Sequence, residues 1–486
     1  YNSSECYFIR KVVFQYMNKY QKLATNTLIF SIGSFGSKIL SVLLIRLYSG
    51  ILSTTEISTT ELFTQTANLL IPIATLRISE AVMRFGMDDE YSVEQVYTSG
   101  VLTNLLGLII VFLFLPLLNL LPDFKGTVIL MGIYLFTSSF RELNQYFLRS
   151  RGLVKLFAVD GILTTLTMLV FNIVFLVYMK LGVTGYILSI ICSDGFSCLF
   201  MVIMGKNFRF IKPRSVNKDV LQTMTRYSIP LIPTFILWWV VSASDRYMVR
   251  YMIDADTNGL YSMAYKIPTL ISIASTIFYQ AWQMSAISEY NSEGARKFYS
   301  KVFEAYQSMM YIASGGILLF LQVFTNILID EKMRSSYQYA PFLVIGVLMS
   351  CFCQFLSSVY SASKSTKNSF WTSMIAAVAN IALNFLLIPL WGAQGAGVAT
   401  MISYGACFFV RIFDTRKFIA YNVDWQKIVF NLTVLLAMCF CILFNVRCKY
   451  PLLTVMFLAI LAVNFMDIMQ TVKKLLLREK PEKQAG

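Results

Sequence analysis

The chain has 486 residues, of which 57% are hydrophobic and 14% are charged, and its mean hydropathy is +0.62. So much apolar surface cannot be hidden inside a water-soluble domain of ordinary size, which excludes the soluble fold classes. The 41 Lys and Arg exceed the 26 Asp and Glu, but no basic face stands apart from the apolar stretches, and the chain lacks His, the most common general base and metal ligand.

The chain opens with a basic, polar segment of 22 residues, and apolar stretches of about 20 residues then follow one another. We expect no cleavable signal peptide, because the first apolar stretch already has the length of a full membrane span. The predicted fold is an all-α membrane protein with 14 transmembrane helices, at residues 24–46, 59–79, 96–119, 126–148, 156–179, 183–204, 228–250, 258–284, 303–329, 338–361, 370–391, 394–413, 427–446 and 451–472.

The distribution of positive charge orients these spans. With the N-terminus on one side of the membrane, that side collects 29 of the 41 Lys and Arg, whereas the opposite loops collect 8. Cytoplasmic loops carry the excess of Lys and Arg in membrane proteins. We therefore expect both termini in the cytoplasm, which requires an even number of spans.

An internal repeat divides the chain. Residues 155–185 resemble residues 367–397, and three pairs match at an offset of 212, namely Lys155 with Lys367, Asn172 with Asn384 and Gly185 with Gly397. Two units separated by an even number of crossings have the same orientation, as in transporters with parallel repeats. The predicted organisation is a cytoplasmic segment at 1–22, a six-helix bundle at 23–205, a basic cytoplasmic linker at 206–226, a second six-helix bundle at 227–415, helices 13 and 14 at 416–475 and a cytoplasmic tail at 476–486.

Polar residues recur every three or four positions on spans 1, 2, 7 and 8, which places them on one face of each helix. Such faces can hold helices together, but they can also line a cavity. Because spans 1 and 7, and spans 2 and 8, are repeat mates, we expect a central cavity between the two bundles. The stripes include Ser34 and Lys38 on span 1, Glu61, Gln65 and Asn68 on span 2, Trp238, Ser242 and Asp245 on span 7, and Tyr265 and Thr269 on span 8.

Charged residues also lie within the spans. A charge near the middle of the membrane costs about 2.5 to 3.5 kcal/mol on insertion scales. Those that lie deep are expected to line a wet cavity or to pair with each other. They are Lys38, Arg141 with Glu142, Asp245 with Arg246, and Lys266.

Two segments resemble polysaccharide flippases of the Wzx type, in the MOP superfamily that also contains lipid II flippases and MATE exporters. One is SASDRYMVRYMIDADTNGLYSMAYKIPTLIS, at residues 242–272, and the other is ANIALNFLLIPLWGAQGAGVATMISY, at residues 379–404. The resemblance implies that helices 1, 2, 7 and 8 line a lateral opening and that Asp245, Arg246 and Lys266 belong to the cavity. The segment STTEISTTEL, at residues 53–62, departs from the pattern because it lacks the expected glycines and aromatic residues.

The sequence thus favours a transporter, not an enzyme, that flips an undecaprenyl-pyrophosphate-linked oligosaccharide through a cationic cavity in the bacterial cytoplasmic membrane. Lys and Arg donors match pyrophosphate. We expect no cofactor, metal or nucleic acid, and no ATP, because GSFGSK at residues 33–38 has the wrong spacing for a phosphate loop. Expected partners are membrane lipids, a polysaccharide polymerase and glycosyltransferases, and the chain is expected to be a monomer. The candidate cavity residues are Lys38, Ser34, Gln65, Asn68, Arg141, Trp238, Asp245, Arg246, Lys266, Tyr265 and Thr269.

Two other functions stay open on the sequence alone. A cation-coupled exporter of cationic drugs would use carboxylates inside the membrane as its main polar sites. Asp160, Asp194 and Asp467 are instead isolated in the sequence, where they can pair with other groups or face the cytosolic ends of their spans. A lipid-linked glycan polymerase or ligase would need a large external loop with catalytic residues, whereas every predicted external loop is short.

Overall fold

The computed structural model describes residues 42–88, 90–363 and 365–476, and every regular element in these ranges is helical. The first described helix, α1 (Val42–Ile51), overlaps the end of the first predicted span and continues five residues beyond it. The rest of that span, including Ser34 and Lys38, lies outside the described residues, as do the predicted N-terminal segment and nearly all of the predicted tail.

The helices of the N-terminal half follow α1 directly. They are α2 (Thr54–Ala74), α3 (Ile78–Gly86), α4 (Val93–Phe114), α5 (Val128–Ser150), α6 (Val154–Asn172) and α7 (Gly182–Met204). The basic linker contains a short amphipathic helix, α8 (Lys218–Ser228), which packs on α3 and α4.

The C-terminal half begins at Leu231. Its helices are α9 (Leu231–Met252), α10 (Ala255–Lys266), α11 (Thr269–Glu289), α12 (Ala295–Leu319), α13 (Leu321–Leu328), α14 (Ala340–Ala362), α15 (Thr366–Trp391) and α16 (Ala393–Thr415). Two further helices, α17 (Trp425–Leu443) and α18 (Lys449–Leu476), pack against α12.

Within the described ranges, eight helices are long and apolar enough to cross a membrane, or nine if α12 and α13, which are bent by 72°, form one span. The chain is therefore a multi-pass helical membrane protein, and the count of fourteen spans stays a prediction. The predicted second and eighth spans are each two helices. The second breaks after α2 at Leu76 and Arg77, which have positive φ, and the eighth breaks at Pro268 before α11.

The segment that departs from the flippase pattern is a strongly capped helix start. The Ser53 side chain accepts a hydrogen bond from the Glu56 backbone N–H, and the Glu56 carboxylate accepts one from the Ser53 N–H at 2.8 Å, which is a capping box. Asp254 caps α10 in a similar way, through the Thr257 N–H at 2.7 Å. Both caps lie at the end of the molecule that the charge distribution predicts to face outward.

Helix α10 crosses α2 at very close range. A Cβ atom on Gly259 would lie 2.0 Å from the Thr54 carbonyl oxygen, so only glycine fits at this crossing. We call the helices of the N-terminal half the first bundle and those of the C-terminal half the second bundle. This contact brings the second bundle against the first, and it positions the charged side chains of α2, α9 and α10 beside one another.

The two repeated segments form similar hairpins. Residues 155–185 cover α6 and the turn into α7, and residues 367–397 cover α15 and the turn into α16. Asn172 and Asn384, which match in the repeat, are both fully buried.

Candidate functional site

A cavity of about 410 Å³ lies between the two bundles. Its volume falls within the range usual for small-molecule sites. Helices α2, α5, α9 and α16 contribute its walls, so both halves of the chain enclose it. The lining residues are Gln65, Asn68, Ile71, Pro72, Arg77, Glu142, Phe235, Trp238, Trp239, Ser242 and Tyr404.

A group of charged side chains contacts two of the residues that line this cavity, Gln65 and Ser242. The Glu61 carboxylate of α2 lies between two cations of the other bundle, with Oε1 at 3.1 Å from Nε of Arg246 and Oε2 at 2.9 Å from Nζ of Lys266. Glu61 is 8% exposed and Arg246 is 5% exposed. Gln65, which lines the cavity, donates to Glu61 Oε1 at 2.9 Å and so connects the cavity wall to the charged group.

Asp245 forms the second half of the group. Its Oδ1 lies 3.3 Å from Nη1 of Arg246, and its Oδ2 accepts hydrogen bonds from Tyr261 at 2.7 Å and Thr400 at 3.3 Å. The carboxylate is 0% exposed, so these donors replace the water that it has lost. We call Glu61, Asp245, Arg246 and Lys266 the ion cluster.

The ion cluster contains two cations and two carboxylates. The expectation of an unbalanced positive charge is therefore wrong for Arg246 and Lys266 in this conformation, because Glu61 and Asp245 together balance their two charges. Glu61 belonged to the polar stripe of the second span but was missed as a site residue, although a carboxylate inside a span needs a partner.

The other predicted residues fall into three places. Gln65, Asn68 and Trp238 line the cavity. The Tyr265 ring lies against the Arg246 guanidinium, 4.1 Å from its centroid, and the Thr269 hydroxyl bonds to the Lys266 carbonyl in the same region. Ser34 and Lys38 lie outside the described residues.

Arg141 lies apart from the ion cluster, inside the first bundle. Its guanidinium contacts Asp194 at 3.0 Å and donates to Ser197 at 3.2 Å, while the next residue, Glu142, lines the cavity. Ser197 also donates to Asp160, which accepts a further bond from Gln145 at 3.0 Å. Asp160 and Asp194 therefore share one buried polar network, which agrees with the alternative that these carboxylates have partners. In the described ranges, this network included, no group of three or more acidic or Cys side chains is placed to hold a metal ion.

Further contacts between the bundles lie at the predicted outer end. Arg250 pairs with Asp123, Thr54 donates to Asp256, and Asn258 donates to Ser58 at 2.7 Å. The cavity lies on the opposite side of the ion cluster, because its residues come from the C-terminal half of α2 and the N-terminal half of α9. These contacts and the ion cluster together separate the cavity from the predicted outer surface.

Replacing Glu61 with Gln is expected to loosen the contact of α2 with α9 and α10. The change removes the carboxylate that both Arg246 and Lys266 contact. Breaking a buried ion pair costs about 3 kcal/mol or more, which shifts the equilibrium between the closed and the separated contact of α2 with α9 and α10 by roughly 100-fold. The rate of amide hydrogen exchange at the first turns of α2 and α10 should rise.

Glu56→Gln is the matched control, because Gln also completes a capping box. Unchanged exchange in Glu61→Gln would show that the cluster does not hold the bundles together.

The sequence is similar to polysaccharide biosynthesis proteins and to probable flippases. A profile of the family described as "Polysaccharide biosynthesis protein" matches residues 62–338. The probable flippase AglR of Haloferax volcanii is 24% identical over 347 residues, which cover 68% of this chain and 70% of that protein. The probable lipid II flippase MurJ of Thermotoga maritima is 33% identical over 78 residues, or 16% of each chain.

Solved structures share the fold. A structure of the lipid II flippase MurJ in an inward closed conformation matches with a TM-score of 0.67 and 13% identity, over 92% of this chain and 98% of that one. An inward-facing MATE family multidrug transporter of the MOP superfamily matches with a TM-score of 0.66 and 15% identity, over 83% of this chain and 99% of that one. The helical arrangement of this chain is thus the one found in MurJ and MATE transporters.

Proposed function

The chain belongs to the family of polysaccharide biosynthesis proteins, and from this premise we propose that it flips an undecaprenyl-pyrophosphate-linked oligosaccharide from the inner to the outer leaflet of the bacterial cytoplasmic membrane. Its family and relatives are transporters and flippases, not enzymes. The headgroup binds in the cavity between the bundles, and the polyprenyl tail stays in the lipid.

One observation carries the proposal. Arg246 and Lys266 both contact the Glu61 carboxylate, which comes from the opposite bundle. This group is joined to the cavity lining, because Gln65 donates to Glu61 and Arg246 donates to the Ser242 carbonyl. A pyrophosphate group carries more negative charge and more acceptor oxygens than one carboxylate, and guanidinium groups bind phosphate oxygens through paired donors. The headgroup can therefore take the place of Glu61 on these two cations.

This exchange supplies a mechanism for alternating access. While Glu61 holds Arg246 and Lys266, α2 stays against α9 and α10 and the outer end stays closed. A bound pyrophosphate satisfies both cations from within the cavity and releases Glu61 with α2. The bundles can then separate at the outer end, and the headgroup leaves on that side. A ligand shifts such an equilibrium only through a difference in affinity between the two states, which the competition with Glu61 provides.

The direction of transport follows from the orientation and the charge. With both termini in the cytoplasm, the cavity opens toward the inner leaflet, where lipid-linked units are assembled. Moving an anion out of a negative interior gains about 2.3 kcal/mol per charge per 100 mV. Membrane potential, together with consumption of the unit by a polymerase outside, then favours export of a cell-surface polysaccharide such as capsule or O-antigen. Glycosyltransferases would supply the unit, and a monomer suffices for the cycle.

The test uses the purified chain in liposomes. A fluorescent undecaprenyl-pyrophosphate-linked oligosaccharide is placed in both leaflets, and an impermeant oxidant of sugars reports the fraction that reaches the outer surface. Active protein should expose nearly all of the lipid to the oxidant, and an inside-negative potential should accelerate outward movement. Protein-containing liposomes that expose no more lipid than protein-free liposomes would refute the function.

A cation-coupled exporter is the second candidate, because the first bundle contains the buried network of Asp160, Asp194 and Arg141, which has two carboxylates and one cation. Replacing Asp160 with Asn keeps an acceptor for Ser197 and removes the charge. We expect flipping to fall less than about fivefold, since one neutral hydrogen bond contributes about 1 kcal/mol. The liposome assay measures the flipping rate. Complete loss of flipping in Asp160→Asn, together with dependence of the wild type on an imposed proton or sodium gradient, would instead support the coupled mechanism.

A further inference from the structure

Aromatic side chains form one wall of the cavity. Phe235, Trp238 and Trp239 come from α9, and Tyr404 comes from α16. The rings of Trp238 and Tyr404 lie within 19° of parallel, with centroids 6.1 Å apart. Tyr404 is 4% exposed and stacks on Trp238, so Trp238 is the more accessible ring of this pair at the cavity wall.

A buried arginine contacts the Trp238 ring from α16. The Arg411 guanidinium lies 4.8 Å from the centroid of the Trp238 ring. It is 0% exposed and donates to the Thr372 hydroxyl at 3.0 Å and the Cys353 carbonyl at 2.8 Å. Contact of a guanidinium with an indole ring is favourable, and more so where water is excluded. Arg411 thus fixes the position of Trp238 before any ligand enters.

A hydrogen bond also fixes the neighbouring ring. Trp239 donates from Nε1 to the Gln65 carbonyl at 2.9 Å, which ties α9 to α2. The amides of Gln65 and Asn68 on α2 and the carboxylate of Glu142 on α5 line the same cavity. The cavity therefore combines aromatic rings with hydrogen-bonding groups from other helices.

This combination matches the surface of a sugar ring. A pyranose has C–H groups on one face, which pack against aromatic rings, and hydroxyl groups at its edge, which bond to amides and carboxylates. Rigid rings with a few placed polar groups give an orienting site at little entropic cost. Neither feature is needed by a prenyl pyrophosphate without a sugar.

We propose that Trp238 forms a platform on which a saccharide next to the pyrophosphate stacks, with Tyr404 and Arg411 as positioning residues that hold its ring. The proposal rests on the proposed function and divides the site in two. The phosphates contact Arg246 and Lys266, and the sugar contacts the aromatic wall. Gln65, which both lines the cavity and bonds to Glu61, lies where the two parts meet.

The experiment compares two lipids on the same protein in liposomes. One is undecaprenyl pyrophosphate carrying a fluorescent disaccharide, and the other is undecaprenyl pyrophosphate without sugar. Trp238→Ala should weaken binding of the glycosylated lipid by about tenfold, since aromatic contacts of this kind contribute on that scale. Binding of the lipid without sugar should change less than twofold, and Trp238→Phe should restore most of the difference.

Trp371→Ala is the control, because Trp371 is an exposed tryptophan of the same bundle that lies on α15, outside the cavity. An equal loss for both lipids in Trp238→Ala would show a structural role and overturn the platform. No loss for either lipid would overturn it as well, while the proposed function would stand if the wild type still moved the glycosylated lipid. A wild type that moves neither lipid would remove the proposed function and the platform together.

Discussion

Replacing Arg246 with Ala is expected to slow movement of the lipid-linked oligosaccharide by at least about 100-fold and to leave the lipid on the inner leaflet. Arg246 contacts both carboxylates of the ion cluster and the Tyr265 ring. Its removal leaves Asp245 buried without a cation and removes the strongest phosphate donor of the site. Loss of one partner of a buried ion pair costs about 3 to 5 kcal/mol, and about 1.4 kcal/mol corresponds to a tenfold change.

Two further variants make this result specific. Arg246→Lys keeps the charge but loses the planar pair of donors, so an intermediate loss is expected. Arg334→Ala is the control, because Arg334 is a partly exposed arginine of the same half that contacts Glu331 at 4.0 Å, away from the cavity. Cells with Arg246→Ala should accumulate the lipid-linked unit inside. Accumulation of unpolymerised units on the outer surface would point to a polymerase instead, and a fully active Arg246→Ala protein would contradict the role of the cluster.

The helical plan could be predicted because hydropathy and length are local properties. Each apolar stretch from the second onward overlaps a described helix, and the charged residues of spans 7 and 8 do lie at the interface between the bundles. The breaks after α2 and before α11 could not be predicted in the same way. Pro268 marks the break before α11 in the sequence. The break after α2 needs a positive φ at Leu76 and Arg77, and neither residue type favours that conformation, so no local signal predicts it.

The pairing of charges could not be predicted because it joins distant parts of the chain. Glu61 and Lys266 are 205 residues apart, and periodicity places each on a helix face without showing which face meets which. The same limit explains why Arg141 was grouped with the cavity, although its partner Asp194 lies on a neighbouring helix of the first bundle.

Arg411 shows a different limit of sequence interpretation. It stands near the end of an apolar span, where a positive charge is usual on the cytoplasmic side, so it is naturally counted among the charges that orient the protein. The structure instead buries it completely and places it against Trp238. A charge that orients a span and a charge that supports a site have the same appearance in one sequence.

Linking the two bundles at their outer end is expected to stop flipping completely and reversibly. The Thr54 and Asp256 side chains contact each other across the bundles, at the capped starts of α2 and α10. Cysteines at these two positions, in a protein whose nine native cysteines are replaced, can be joined by a disulfide. A short reagent that forms a reducible disulfide with each of the two thiols can join them as well. The link holds α2 against α10 even when the headgroup displaces Glu61, so the outer end cannot open.

A link within one bundle provides the matched control. Gln394 donates to the Gln338 carbonyl at 2.7 Å, and both residues belong to the second bundle at the same end. Cysteines at these positions would be joined without connecting the bundles, and transport should continue because the second bundle can still move as a unit.

The most direct measurement is therefore the flipping rate of an undecaprenyl-pyrophosphate-linked oligosaccharide in liposomes, before oxidation, after oxidation and after reduction of the Thr54→Cys/Asp256→Cys protein. We expect transport before oxidation, none in the linked protein, and recovery with a reductant, while the Gln338→Cys/Gln394→Cys protein stays active throughout. Undiminished flipping by protein that is fully linked between the bundles would contradict a route for the headgroup through the cleft between them.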